Sequence, residues 1–189
     1  MTPVVINADD VTPQAWRNGG GWTRELLVWP PGDDWCVRVS RADIETDGPF
    51  SSYPGVERWF TVLAGAGVAL QFAGKERILK PGDAPIEFDG AARPDCTLID
   101  GPTQDLNLMV QRGSGLMQPV QAGTGWSASL DLRGIYTTCD GTWSDGSQSV
   151  ALPAHSLLWC EAYRMNEWTF APRDGARRRP AWWLGYRHA

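Results

Sequence analysis

The chain has 189 residues, enough for one sizeable domain or two small fused ones, and its 42% hydrophobic and 21% charged content is that of a protein folding around its own core. A formal net charge of -5 argues against a nucleic-acid partner, whose phosphates demand a basic face. No run approaches the roughly 18 apolar residues of a membrane span, and Met1 to Asp10 lacks the basic and apolar regions of a signal peptide, so a soluble cytoplasmic protein without a membrane partner is expected.

The first unusual stretch is Trp16-Arg17-Asn18-Gly19-Gly20-Gly21-Trp22-Thr23-Arg24-Glu25. Glycine loses more backbone entropy on ordering than any other residue, so three in a row imply positive φ angles or a close approach to bare peptide. The glycines lead into the extended run Thr23 to Trp29 rather than a helix, which removes the phosphate-binding P-loop and the dinucleotide fingerprint. Two readings stay open: a glycine-rich loop before a strand, or a ligand-facing wall in which Asn18, Gly19, Gly20 and Gly21 offer amide donors.

Beyond it, helical periodicity is nearly absent and Pro/Gly turn signals recur every ten residues or so, the pattern of an all-β sandwich or barrel. Asp34 to Ala42 alternates, with Trp35, Val37, Val39 and Arg41 on one face and Cys36, Arg38, Ser40 and Ala42 on the other. The segment Asp47 to Gly55 holds two prolines and two glycines and reads as a shaped loop. Glu57 to Leu63 and Val68 to Phe72 form a hairpin around Ala64-Gly65-Ala66-Gly67; Arg77 to Lys80 and Pro85 to Phe88 flank the turn Pro81-Gly82-Asp83. Thr97 to Asp100 is a further strand. Leu106 to Gln111 alternates cleanly, Leu106, Leu108 and Val110 opposing Asp105, Asn107, Met109 and Gln111.

Short antiparallel strands with such turns predict an RmlC-like cupin jelly roll. Ile135 to Cys139, Asp140-Gly141 and Leu152 to Trp159 weakly echo the first half, which predicts a bicupin of two barrel-like halves, residues 1–114 and 115–189. Arg173 and Arg177-Arg178-Arg179 read as a solvated turn, and Trp182, Trp183, Leu184 and Tyr186 as a final strand. Exposed sheet edges allow a homodimer.

In three stretches the chain resembles the HutD/Ves family of bicupins. These are Trp16 to Gly21 with Thr23 and Glu25; Arg38, Ser40 and Ala42 with Asp47-Gly48-Pro49-Phe50-Ser51 and Pro54-Gly55; and Gly101-Pro102 with Asp105, Asn107, Leu108 and Met109. Arg17, Glu57 and Leu106 depart mildly from the family pattern. The resemblance implies a two-barrel β fold without an assigned reaction, and a role in sensing or moderating histidine-degradation intermediates such as formylglutamate.

The residues themselves narrow the chemistry. A metal-dependent cupin usually presents two or three histidines and a glutamate. This chain has only His155 and His188, so neither a metal site nor a cofactor is expected. The four cysteines, Cys36, Cys96, Cys139 and Cys160, lie far apart without a Cys-x-x-Cys pair and read as small buried hydrophobes. A serine or cysteine hydrolase lacks its base and elbow. Metal-free acid–base catalysis, isomerase- or epimerase-like, stays open through Glu25, Asp47, Glu57, Asp83 or Asp105. The positive case is a small acidic metabolite. Arg38 and Ser40 share one strand face and Asp105 and Asn107 another, while Arg38 and Arg58 can each fork onto a carboxylate. With the glycine loop, Thr23, Glu25 and Phe50, these complete the candidate ligand-binding set. The competing reading has Arg38 paired with Asp105 or Glu25, merely tying strands together.

Overall fold

The computed structural model describes residues 2–121, 123–161, 166–173 and 181–189. The Arg177 to Arg179 run lies outside the described residues. The first strands are β1 (Val4–Asn7), β2 (Gln14–Ala15), β3 (Gly21–Trp29), β4 (Val37–Ile44), β5 (Gly48–Pro49) and β6 (Glu57–Ala64). There follow β7 (Val68–Phe72), β8 (Lys75–Leu79), β9 (Ile86–Asp89), β10 (Asp95–Leu98), β11 (Thr103–Val110) and β12 (Ser114–Pro119). The last are β13 (Leu132–Thr137), β14 (Gly141–Ser144), β15 (Ser149–Leu152), β16 (Ser156–Glu161), β17 (Thr169–Pro172) and β18 (Ala181–Arg187). Among the described residues, helix is confined to the short turns Ala8–Asp10 and Gly90–Ala92.

The chain divides into two compact units, Val11–Gly115 and Leu116–Ala189 together with Met1–Asp10. In the first, a six-stranded sheet ordered β2-β3-β4-β11-β6-β9 and a four-stranded sheet ordered β5-β10-β7-β8 are built from antiparallel pairs. Their inward side chains meet in one core: Ile44, Phe60 and Val62 from the larger sheet, Val68, Leu70, Leu79 and Cys96 from the smaller, and Phe50 from the connecting loop. Burying a side chain such as Phe60, with no exposed surface, is worth about 2–3 kcal/mol, so this layer of alternating residues holds the two sheets face to face.

The second unit repeats the two-sheet plan with β1-β16-β13-β18-β12 and β15-β14-β17. Its core is heavier, combining Ile135, Leu158 and Trp183 with Trp143, Leu152, Phe170, Trp126 and Trp168. The expected final strand, carrying Trp182 to Tyr186, lies inside this sheet between β13 and β12. β1 belongs here too, Val4 opposite Trp159 and Asn7 opposite Ser156, although reading in chain order had placed it with the first half. A four-residue apolar strand carries no local signal for which sheet edge it completes.

Local boundaries differ from the alternation pattern where turns intervene. β4 begins at Val37, because Cys36 still closes a turn onto the Trp29 carbonyl. β10 begins at Asp95, opposite Gln71, and ends at Leu98, whose N–H is taken by Asp47 Oδ1.

Candidate functional site

The register of the six-stranded sheet sets the first unit's interior in rows. One row reads Thr23, Ala42, Asp105, Val62; the next Glu25, Ser40, Asn107, Phe60, Ile86; the third Val28, Arg38, Met109, Arg58, Phe88. Two bulges maintain this face: Leu26 is extra in β3, and Leu63 is extra in β6 beside Asp105. Extra residues of this kind re-aim side chains at a sheet's working face. Eight expected residues, Thr23, Glu25, Arg38, Ser40, Phe50, Arg58, Asp105 and Asn107, are thereby gathered in one unit around one sheet face and its adjoining loop.

Arg58, Asn107 and Asp105 form a buried chain, 7%, 3% and 1% exposed. Arg58 Nε and Nη2 both donate to Asn107 Oδ1, at 3.0 and 2.7 Å, and Asn107 Nδ2 donates to Asp105 Oδ1 at 2.5 Å. The other Asp105 oxygen, Oδ2, is buried without a hydrogen-bond partner. The guanidinium lies over the rings of Phe50, at 4.5 Å, and Phe88, at 5.5 Å. Burial lowers Arg58 to about 10, against the raising pull of Asp105, so it stays cationic at neutral pH. Burial also pushes Asp105 up to about 7, Arg58 and the Asn107 hydrogen bond offsetting it only in part and Asp43 adding to it. The Cys96 thiol rises to about 12 through burial and the nearby Asp105 and Asp47, which leaves it a neutral wall.

Arg38, in the same row as Arg58, is paired differently. Its Nη2 pairs with Glu25 Oε2 at 2.5 Å, both side chains half-buried, and its guanidinium lies 5.3 Å from the Trp35 ring. That pair matches the competing reading, in which Arg38 ties β4 to β3. It does not meet Asp105.

The triple glycine is a turn that consumes its own donors. Gly19 N–H donates to the Trp16 carbonyl and Gly20 N–H to Asn18 Oδ1 at 3.0 Å, while the Gly20 carbonyl accepts from Glu45 and Thr46. Those two N–H groups and the exposed Asn18 therefore shape the loop rather than present themselves to a ligand. The positive φ lies at Gly19, +71°, not at Gly20, and the close approach lies at Gly21, where a Cβ would sit 2.2 Å from the Asp43 carbonyl. What the turn does contribute is Trp16: its indole N–H donates to Thr23 Oγ1 at 2.7 Å, and its ring packs on the core holding Phe50 and Phe60.

Among the carboxylates considered for acid–base work, Asp47 caps Leu98 N–H, Asp83 caps Lys80 N–H, and Glu57 accepts from the Trp59 indole and Gly115 N–H. Only Glu25 and Asp105 face the interior. Phe88 and Tyr53, the latter electrostatically coupled to Arg58, were not anticipated. The Ile86-Glu87-Phe88 alternation was the available signal for Phe88. The second unit has its own buried arginine, Arg133, over Trp168 at 4.4 Å and Trp126 at 5.8 Å and bonded to the Asn166 carbonyl and side chain.

Comparisons place this architecture among known proteins. A HutD structure from Pseudomonas fluorescens SBW25 superposes with a TM-score of 0.85 at 26% identity over 100% of both chains. A conserved protein of unknown function from Pseudomonas aeruginosa PAO1 gives 0.85 at 27% over 97% of both. An oxalate decarboxylase from Lactobacillus farciminis, TM-score 0.62 at 9% identity, shares the cupin fold alone. An uncharacterized 21.2 kDa protein in the hutC 3′ region of Pseudomonas putida is 38% identical over 108 residues, which span about half of either chain, 56%. Protein Ves of Cronobacter sakazakii is 33% identical over 147 residues, 77% of this chain and 81% of that one. The family model HutD matches residues 8–175, and by that match the chain belongs to the HutD family of cupins.

Proposed function

We propose that the first unit binds a small acidic metabolite at Arg58, in a sensing or regulatory role rather than a catalytic one. The observation that carries this reading is the state of Arg58: a buried guanidinium whose fork rests on a neutral amide, Asn107, instead of a carboxylate. A buried charge is costly unless it is paired and hydrogen-bonded, and a ligand carboxylate supplies the missing partner with bidentate geometry. Phe50 and Phe88 add apolar walls around the charged head. The relatives named for hutC and HutD point to histidine degradation as the source, formylglutamate being one candidate.

Thermal unfolding against histidine, urocanate, formiminoglutamate and formylglutamate tests this. A specific ligand at about a hundred times its dissociation constant adds roughly 2.7 kcal/mol, a rise of about 5 °C or more for a chain of this size. No shift with any acid contradicts the reading. A second reading, a metal-free isomerase- or epimerase-like enzyme, draws on Asp105, whose elevated value of about 7 suits a general acid or base. Saturable turnover of a panel acid, lost in Asp105→Asn, is the outcome that favours it.

A further inference from the structure

We propose that the Arg58–Asn107–Asp105 chain takes up one proton together with a carboxylate ligand, and so chooses between carboxylates and amides according to pH. This rests on the binding reading above and names the regulation of that same site.

The hydrogen-bond directions carry the argument. A guanidinium has only donors, so Arg58 Nε and Nη2 fix the Asn107 oxygen toward themselves. The Asn107 amide nitrogen then has to face Asp105 Oδ1, which accepts from it. The chain ends on Asp105 Oδ2, buried and unpartnered. What this end can do depends on one proton: ionised, Oδ2 only accepts; protonated, it donates.

A carboxylate ligand has only acceptors. Against ionised Asp105 it brings a second negative charge into a place where burial already disfavours the first. Against protonated Asp105 it accepts from Oδ2–H while its charge is balanced by Arg58. The proton comes from solvent and stays on Asp105; no other bond changes. An amide reverses the preference, because its carbonyl accepts from Arg58 while its N–H donates to the ionised Oδ2. In both cases the site holds one positive and one negative charge.

The groups around Asp105 leave it as the one that switches. Arg58 on β6, at about 10, and Cys96 on β10, at about 12, hold their charge states near neutrality, whereas Asp105, at about 7, does not. Asp43 on β4 acts on Asp105 from a distance and is bound to Arg24 and Gln104; Asp47 acts on Cys96. Glu25 on β3 is held by Arg38, and Tyr53 acts on Arg58.

The test titrates isotope-labelled protein with formate and, separately, formamide, following chemical shifts at about pH 6 and about pH 8.5. Formate stays ionised throughout. With Asp105 near 7, formate is expected to bind roughly 30-fold more weakly at the higher pH and formamide about tenfold more tightly. Asp105→Asn, which has the same shape and no titration, removes both dependences; should that variant fold poorly, the wild-type series alone decides. A formate affinity equal at both pH values, or the same trend for both probes, overturns the inference while leaving anion binding intact. If neither probe binds and no acid of the melting panel does, the binding reading falls and this inference falls with it.

Discussion

Asp105 shows how a single buried carboxyl ties stability to pH. Its folded value of about 7 lies above the ordinary 3.8, so between those values the folded state holds a proton that the unfolded state has released. Stability from this group is therefore full below about pH 4 and lost as pH rises toward 7. Asp105→Asn removes the dependence. Unfolding free energies from denaturant titrations are expected to be close for variant and wild type near pH 3.5, and to favour the variant near pH 8 by on the order of a few kcal/mol. A variant less stable at both values would mean that the carboxylate is a net structural partner of Arg58. The residue types on this face were legible from sequence, since Asp105 and Asn107 alternate with Leu106 and Leu108. Their pairing was not, because choosing Asn107 rather than a carboxylate as the acceptor for Arg58 depends on cross-strand register that no local pattern reports.

At the scale of elements, the glycine turn before β3 separates two reasons for glycine that sequence alone merges. Gly19 needs its positive φ and has open space around a Cβ, whereas Gly21 has an ordinary φ and the Asp43 carbonyl 2.2 Å from any Cβ. Gly19→Ala is expected to cost about 1 kcal/mol. Gly21→Ala must push β3 off β4 and is expected to cost about 3 kcal/mol or more. Urea midpoints check the order; Gly19→Ala proving the more damaging would contradict the assignment. The strands β4 and β11 were readable from alternation along part of each, and β6 from the Ala64-Gly65-Ala66-Gly67 turn that follows it. The bulges at Leu26 and Leu63 were not, since one extra apolar residue in an apolar run leaves no mark in the alternation. For the same reason the order within the three-glycine run, and so the position of the strain, came only from the backbone.

For the whole molecule, the two units differ in what their interiors hold. The first sets the Arg58–Asn107–Asp105 chain against Phe50, Phe60 and Phe88, while in the second Arg133 and Asn166 adjoin stacked and edge-on indoles, Trp126 lying parallel to Trp183 at 5.0 Å and Trp143 edge-on to Trp168 at 4.9 Å. The weak internal echo suggested two barrel-like halves; it did not show that β1 joins the second unit's sheet or that the buried tryptophans gather there. The central claim is that the first unit's polar chain is a receptor rather than scaffolding, and Arg58→Met separates the two. Methionine keeps the apolar contact with the Phe50 and Phe88 rings but removes both donors to Asn107 Oδ1 and the cation facing Asp105, and removing one partner of a buried polar network costs on the order of a few kcal/mol. The measurement is the melting temperature of this variant and of wild type, each with and without whichever acid raises the wild-type value. The expected result is an unliganded variant that still unfolds cooperatively, some degrees below wild type, and has lost the ligand-induced rise. A folded variant that keeps the full ligand-induced rise would contradict the account.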